Sequence, residues 1–128
     1  MNVVDSSGWI EYFAEGPNAG FFAGAIEKVD ELIVPSLAIY EVFKWISRER
    51  VETQALRAIA QMQQGEVMDL DSRLAIHAAR LSPQAKLPMA DSIVYATARA
   101  QDALVWTQDD DFDGLDDVKY VAKKKGAK

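Results

Sequence analysis

Short apolar runs alternate with longer amphipathic segments along this chain, a pattern that predicts strands separated by helices. The expected strands are four or five residues long and lie at positions 2–5, 31–34, 66–70, 103–107 and 118–121. Between them, apolar residues recur every three or four positions, which is typical of helices that bury one face. Strands that alternate with helices favour a parallel sheet covered on both faces.

Residues that cap or break helices set the expected helix boundaries. The N-cap candidates are Ser6 or Ser7, Ser36 and Asp71. Ser82-Pro83 is expected to end one helix, and Pro88 suits the first turn of the next. The expected helices cover positions 8–15, 18–29, 36–50, 52–64, 71–81 and 88–101. We therefore expect an α/β fold: a three-layer α/β/α domain over residues 1–122 with a mostly parallel sheet of four or five strands.

Composition places the chain among ordinary folded proteins, with 128 residues, 49% of them hydrophobic and 27% charged. No apolar run approaches the ~20 residues needed to cross a bilayer, so no membrane contact is expected. The N-terminus shows no signal segment, and the absence of cysteine excludes a disulfide framework; together they favour a cytoplasmic location. The lysine-rich residues 123–128 are expected to form a disordered tail.

The chemistry available to the chain is mainly that of carboxylates. Cysteine nucleophiles and sites with two imidazoles are excluded, because the chain has no cysteine and one histidine. It has 20 acidic against 14 basic residues, a net charge of −6. This balance argues against binding nucleic acid by bulk charge, but it is compatible with an enzyme that meets phosphate through a divalent metal.

Four acids stand at positions that call for an explanation. Asp5 closes the first expected strand and Asp109 follows the fourth, so both reach one crevice if these strands are neighbours. Glu41 and Asp91 each lie between apolar residues at i−4 and i+4 of an expected helix, where an ionised group is costly to bury. Each acid has an ordinary alternative, such as a turn, an ion pair or a favourable helix dipole.

These acids lie in four segments whose order and spacing resemble those of PIN domains. One segment is a strand ending in an acid followed by Ser, and another is a helix that starts with Ser and carries an inward Glu. In the remaining two, an Asp opens an Ala-rich helix and a strand ends in Thr-x-Asp. The segments are Val3 to Ser7, Ser36 to Glu41, Leu87 to Ala98 and Leu104 to Phe112.

The resemblance implies an endoribonuclease that depends on Mg²⁺ or Mn²⁺. By motif position, the metal-binding and catalytic residues would be Asp5, Glu41, Asp91 and Asp109. The residues that would support them are Ser6, Thr107 and Asp111. The triplet that begins at Asp109 leaves open whether Asp109 or Asp111 is the fourth acid; the Thr-x-Asp pattern favours Asp109.

Short stand-alone PIN domains are most often VapC-type toxins, which implies an RNA substrate, an antitoxin partner and a homodimer. A housekeeping ribonuclease of the same fold remains open. Aromatic residues are abundant in the first half of the chain, and they are expected to form an antitoxin groove, a dimer face or simply core.

Two other functions compete with this interpretation. A phosphoacceptor domain of the response-regulator class would use Asp69, after the third expected strand, together with Lys119. It would lack the usual paired acids after the first strand and would leave Glu41 unexplained. A catalytically inert binding module with the same fold is the other alternative.

Overall fold

The computed structural model describes residues 1–125, which contain five strands and six α-helices. The strands are β1 (Asn2–Val4), β2 (Leu32–Pro35), β3 (Glu66–Met68), β4 (Leu104–Thr107) and β5 (Val118–Tyr120). The helices are α1 (Ser6–Phe13), α2 (Ala19–Ile26), α3 (Ser36–Glu49), α4 (Glu52–Met62), α5 (Ser72–Ala85) and α6 (Met89–Ala100). Of the expected tail, residues 126–128 lie outside the described residues.

All four strand pairings are parallel, and the strand order is β3-β2-β1-β4-β5. Val3 of β1 pairs with Ile33 of β2 on one side and with Val105 of β4 on the other. The strand order therefore reverses between β1 and β4, and the carboxyl ends of these two strands are neighbours. Ligands bind at such a switch point in open α/β sheets.

Both faces of the sheet are buried, because successive side chains of a strand point to opposite faces. Val4 and Val34 pack against a cluster built from α1 to α4, whereas Val3, Ile33 and Val105 pack against α6. All five side chains are fully buried. The three-layer α/β/α fold expected from the sequence is confirmed.

The prediction that Ser82-Pro83 ends a helix is wrong, because α5 continues through Pro83 to Ala85. Proline cannot donate back to the fourth preceding carbonyl, but only one such bond is lost here, close to the helix end. Leu81 and Ala85 pack against the core, and their burial offsets that loss. The chain leaves the helix at Lys86, which has a left-handed backbone with φ of 55°.

Two predicted N-caps are also wrong. Asp5 rather than Ser6 or Ser7 caps α1, since its carboxylate accepts a hydrogen bond from the Gly8 N–H. Ser36 is the first residue of α3 instead of its cap, and its hydroxyl accepts a hydrogen bond from the Leu70 N–H. In the described part of the chain, none of the helices has the length and apolar character required to span a membrane.

Candidate metal centre

Asp5 follows β1 directly and is 3% exposed. Its Oδ1 accepts hydrogen bonds from the Ser7 hydroxyl at 2.8 Å and the Gly8 N–H at 3.0 Å. Its Oδ2 accepts one from the Thr107 hydroxyl at 2.6 Å. Burial raises the pKa of Asp5 to about 6 although these three hydrogen bonds lower it, and the nearby charge of Asp109 adds to the increase.

Gly8 lets α1 start close enough to the sheet for its N–H to reach Asp5. A Cβ atom at this position would lie 2.6 Å from the Phe22 ring and 2.7 Å from a methyl group of Val4. Both neighbours are fully buried and cannot give way easily. The glycine therefore fixes the position of the helix start that holds the Asp5 carboxylate.

Thr107, the last residue of β4, connects Asp5 with the acidic loop that follows. Its buried hydroxyl donates to Asp5 Oδ2 and accepts a hydrogen bond from the Asp109 N–H at 2.9 Å. Asp109 Oδ1 in turn accepts a hydrogen bond from the Asp111 N–H at 2.9 Å. A chain of hydrogen bonds thus runs from the end of β1 to the loop after β4.

Asp91, in the first turn of α6, faces the same loop. One carboxylate oxygen each from Asp91, Asp109 and Asp111 lie within 4.8 Å of one another. Burial raises the pKa of Asp91, and the negative charges of Asp109 and Asp5 raise it further, to about 7. Like charges ~4 Å apart repel by ~4 kcal/mol at an effective dielectric of ~20, which explains the direction of the shift.

Glu41 lies on α3 and is connected to the site through Ser6. Its half-buried carboxylate accepts a hydrogen bond from the hydroxyl of Ser6, the residue next to Asp5. Within residues 1–125, the group of three converging carboxylate oxygens does not include Glu41. Glu41 has no ion pair with a lysine or arginine of the described residues. Its assignment as a metal ligand stays a prediction.

The donor set suits a hard divalent cation. Carboxylate oxygens are preferred ligands of Mg²⁺ and Mn²⁺, and these acids have no cationic partner among the described residues. Two of them have raised pKa values, as expected for carboxylates that lack a counter-ion. Asp91, Asp109 and Asp111 are the residues that could together hold such a cation, and Asp5 lies beside them.

A family model described as "PIN domain" matches residues 3–118. The chain belongs to the PIN domain family. The match runs from the second residue of β1 to the first residue of β5 and includes Asp5, Asp91, Asp109 and Asp111. A comparison with curated protein sequences gives no significant match.

Solved structures share this PIN fold at low sequence identity. A chain of a toxin–antitoxin complex from Klebsiella pneumoniae has a TM-score of 0.80 and 18% identity, over 93% of this chain and 96% of that one. The Sarcin-Ricin loop cleaving toxin VapC20 of Mycobacterium tuberculosis has a TM-score of 0.77 and 16% identity, over 92% and 97%. A chain of promoter-bound VapBC2 from Rickettsia felis reaches 0.72 and 12%, over 94% and 97%.

The sequence pattern does not indicate every residue that supports this PIN domain site. It predicts Ser7 only as a helix cap, whereas the Ser7 hydroxyl donates to the Asp5 carboxylate. Gln108 and Asn18 form a buried hydrogen bond at 3.0 Å, and Gln108 also donates to Glu11 at 3.4 Å. No local signal relates Asn18 to Gln108, because the two residues are 90 positions apart.

The residues of the phosphoacceptor alternative are not brought together in this PIN domain. Asp69 follows β3, which is one edge strand of the sheet, and its side chain is exposed. Lys119 lies on β5, the opposite edge strand, with its ammonium group 4.6 Å from the centre of the Trp106 ring. A phosphoacceptor needs its acid and lysine in one pocket, so this alternative loses its support.

Proposed function

We propose that this PIN domain is a divalent-metal-dependent endoribonuclease. The observation that carries the proposal is the convergence of Asp91, Asp109 and Asp111 beside the buried Asp5, at the point where the strand order reverses. A cluster of unpaired carboxylates is destabilising in a metal-free fold, and a metal-dependent reaction gives it a function. The family match supports the same conclusion.

The chain's own residues would organise the reaction by fixing the carboxylates before substrate binds. A bound Mg²⁺ or Mn²⁺ supplies Lewis-acid stabilisation of phosphate charge and lowers the pKa of an attacking water. Thr107 and Ser7 hold both oxygens of Asp5, so that the carboxylate has one orientation. The Ser6 hydroxyl donates to the Glu41 carboxylate and would keep it oriented beside the site.

We further propose that the protein acts as the toxin of a toxin–antitoxin pair in the cytoplasm, as a homodimer. The neighbouring structures from Klebsiella pneumoniae and Rickettsia felis are toxin–antitoxin complexes, which supports this role by similarity of fold. The antitoxin would dock in a cavity of about 200 Å³ between α3 and α4. Phe13, Trp45 and Ile46 provide its apolar lining, and Arg50 and Arg57 lie at its edge.

The enzymatic proposal is tested by incubating a labelled single-stranded RNA with the wild-type protein in Mg²⁺, in Mn²⁺ and in EDTA. We expect cleavage only with metal, and a loss of at least 100-fold in the Asp91→Asn variant. Asp69→Asn, which removes an exposed acid at the sheet edge, is the matched control and should cleave like wild type. Cleavage in EDTA, or an active Asp91→Asn protein, would overturn the proposal.

The toxin role is tested separately from the enzymatic one. Expression of the wild-type chain is expected to arrest growth, and co-expression of a small protein encoded next to it should restore growth. An RNA-cleaving protein that leaves growth unaffected would instead be a housekeeping ribonuclease. A protein that neither binds Mn²⁺ nor cleaves RNA would be the inert module.

A further inference from the structure

A groove of about 380 Å³ runs along α3 and begins beside Asp5, at the two serines that follow it in the chain. Ser6, Ser7 and Glu41 line its inner end, and these residues are hydrogen-bonded to the cluster or to one another. Tyr40 and Lys44 line the groove further out. The groove is therefore adjacent to Asp5 of the candidate metal centre.

Two cations lie along this groove in a protein whose net charge is −6. Lys44 and Arg48 are both exposed and lie one turn apart on α3, about 6 Å along the helix axis. Arg48 forms an exposed ion pair with the adjacent Glu49, at 3.6 Å. Exposed pairs of this kind contribute little, so a phosphate can displace the glutamate.

Tyr40 is a large aromatic residue at the surface, with its side chain 60% exposed. The buried face of α3 consists of Ala38, Val42 and Ile46, so Tyr40 is not needed for the core. The Lys44 ammonium lies 5.7 Å from the centre of its ring, which places a cation and an aromatic face side by side. Single-stranded nucleic acids are bound by this combination, with bases stacked on aromatic rings and phosphates near cations.

A second depression shares Ser7 with the groove. Its lining includes an aromatic residue and a lysine, Tyr120 and Lys123, together with the acids Asp109 and Asp110. A strand of nucleic acid that leaves the groove at Ser7 therefore meets an aromatic ring and a lysine on the acidic side of the site.

We propose that single-stranded RNA lies in the α3 groove on one side of the scissile phosphate. Tyr40 stacks on a base, and Lys44 and Arg48 contact phosphates of the flanking nucleotides. The proposal rests on the proposed ribonuclease function and assigns its substrate a path on the surface. It also explains how a protein with an acidic reaction centre holds a polyanion.

The test measures the affinity for a fluorescein-labelled single-stranded RNA by fluorescence anisotropy, in EDTA to prevent metal-dependent cleavage. We expect Lys44→Ala/Arg48→Ala to bind at least tenfold more weakly than wild type. The slope of log affinity against log salt should fall by about 1.4, since each phosphate contact in a single strand contributes about 0.7. Lys28→Ala/Arg73→Ala removes the same charge from exposed positions outside the groove and should bind like wild type.

The aromatic contact is tested with a pair of variants at one position. Tyr40→Ala should weaken RNA binding at least fivefold, and Tyr40→Phe should bind like wild type, because phenylalanine keeps the stacking face. Equal binding by Tyr40→Ala and Tyr40→Phe would overturn the stacking role.

The outcomes separate this proposal from the enzymatic one. If metal-dependent cleavage is observed but the groove variant binds RNA like its control, the groove proposal alone is overturned. If binding depends on the groove but Mg²⁺ and Mn²⁺ support no cleavage, the ribonuclease proposal fails and the groove stands. If the groove variant loses a protein partner while RNA binding is unchanged, the groove is a protein-docking site and the proposal is overturned.

Discussion

At the scale of single residues, Asp5 is subject to opposing effects on its protonation. Burial favours the neutral acid, whereas hydrogen bonds from Ser7, Gly8 and Thr107 favour the carboxylate. Burial is the larger effect, and the pKa of Asp5 rises from its usual 3.8 to about 6. The negative charge of Asp5 therefore destabilises the metal-free fold.

The first prediction concerns the pH dependence of stability without metal. Because the pKa of Asp5 is raised in the folded state, its stabilising contribution is fully present below about pH 4 and is lost as pH rises through about 6. For this residue the loss amounts to about 3 kcal/mol, and Asp91 acts in the same direction. Asp5→Asn should therefore exceed wild type in free energy of unfolding at pH 8.

Urea denaturation in EDTA at pH 5 and pH 8 measures this difference. The Asn variant keeps the N-cap function, since Asn and Asp are equally good caps. The Asp69→Asn control should show the wild-type pH dependence. The prediction would be contradicted if the difference in free energy of unfolding between Asp5→Asn and wild type were the same at pH 8 as at pH 5.

A second prediction concerns Thr107. Thr107→Val keeps the shape of the side chain but leaves the Asp109 N–H without its hydroxyl acceptor and removes a donor to Asp5. We expect the free energy of unfolding to fall by about 1–3 kcal/mol and RNA cleavage to fall with it. Thr107→Ser should restore both properties. If Thr107→Val and Thr107→Ser behave alike in urea denaturation and cleavage, the hydroxyl has no such role.

At the scale of elements, local patterns predicted which segments are strands and helices better than they predicted the ends. The start of α1 differs from the prediction because Asp5, a site residue, is also the helix cap in place of Ser6 or Ser7. The end of α5 differs because the packing of Ala85, beyond Pro83, outweighs the local effect of the proline. Helix ends depend on tertiary contacts that a local pattern does not contain.

In the candidate site too, the sequence predicts some of the arrangement but not the contacts that depend on tertiary structure. Asp5 and Asp109 were expected to meet because each follows a strand, and the strand order places β1 beside β4. The position of the Asp111 carboxylate close to Asp91 and Asp109 depends on the backbone of the loop after β4. The hydrogen bond from Ser6 to Glu41 depends on the packing of α1 against α3. Neither arrangement has a signature in the spacing of the residues.

A third prediction belongs to the end of α5. Lys86 adopts a left-handed backbone, φ 55°, and its N–H donates to the Ser82 carbonyl. Glycine adopts this conformation without steric cost, so Lys86→Gly should raise the free energy of unfolding by about 0.5–1 kcal/mol. Lys86→Ala, which removes the same charge but keeps the Cβ, should give no increase. A Gly variant no more stable than the Ala variant in urea denaturation would contradict this account.

At the scale of the whole molecule, the topology gathers acids from distant parts of the chain at the carboxyl ends of the central strands β1 and β4. Asp5 comes from the first strand, Asp91 from the start of the last helix, and Asp109 and Asp111 from the loop after β4. The core on both faces of the sheet holds these segments in place against the repulsion between their charges. A divalent cation would relieve that repulsion and link metal binding to folding stability.

Titration of the metal-free protein with Mn²⁺ in a calorimeter tests this account most directly. The wild type should bind Mn²⁺, and Asp91→Asn should lose at least tenfold in affinity because it removes one of the three converging carboxylates. The Asp69→Asn control should bind like wild type. No Mn²⁺ binding by the wild type, or equal binding by Asp91→Asn, would contradict the central claim that these acids form a metal site.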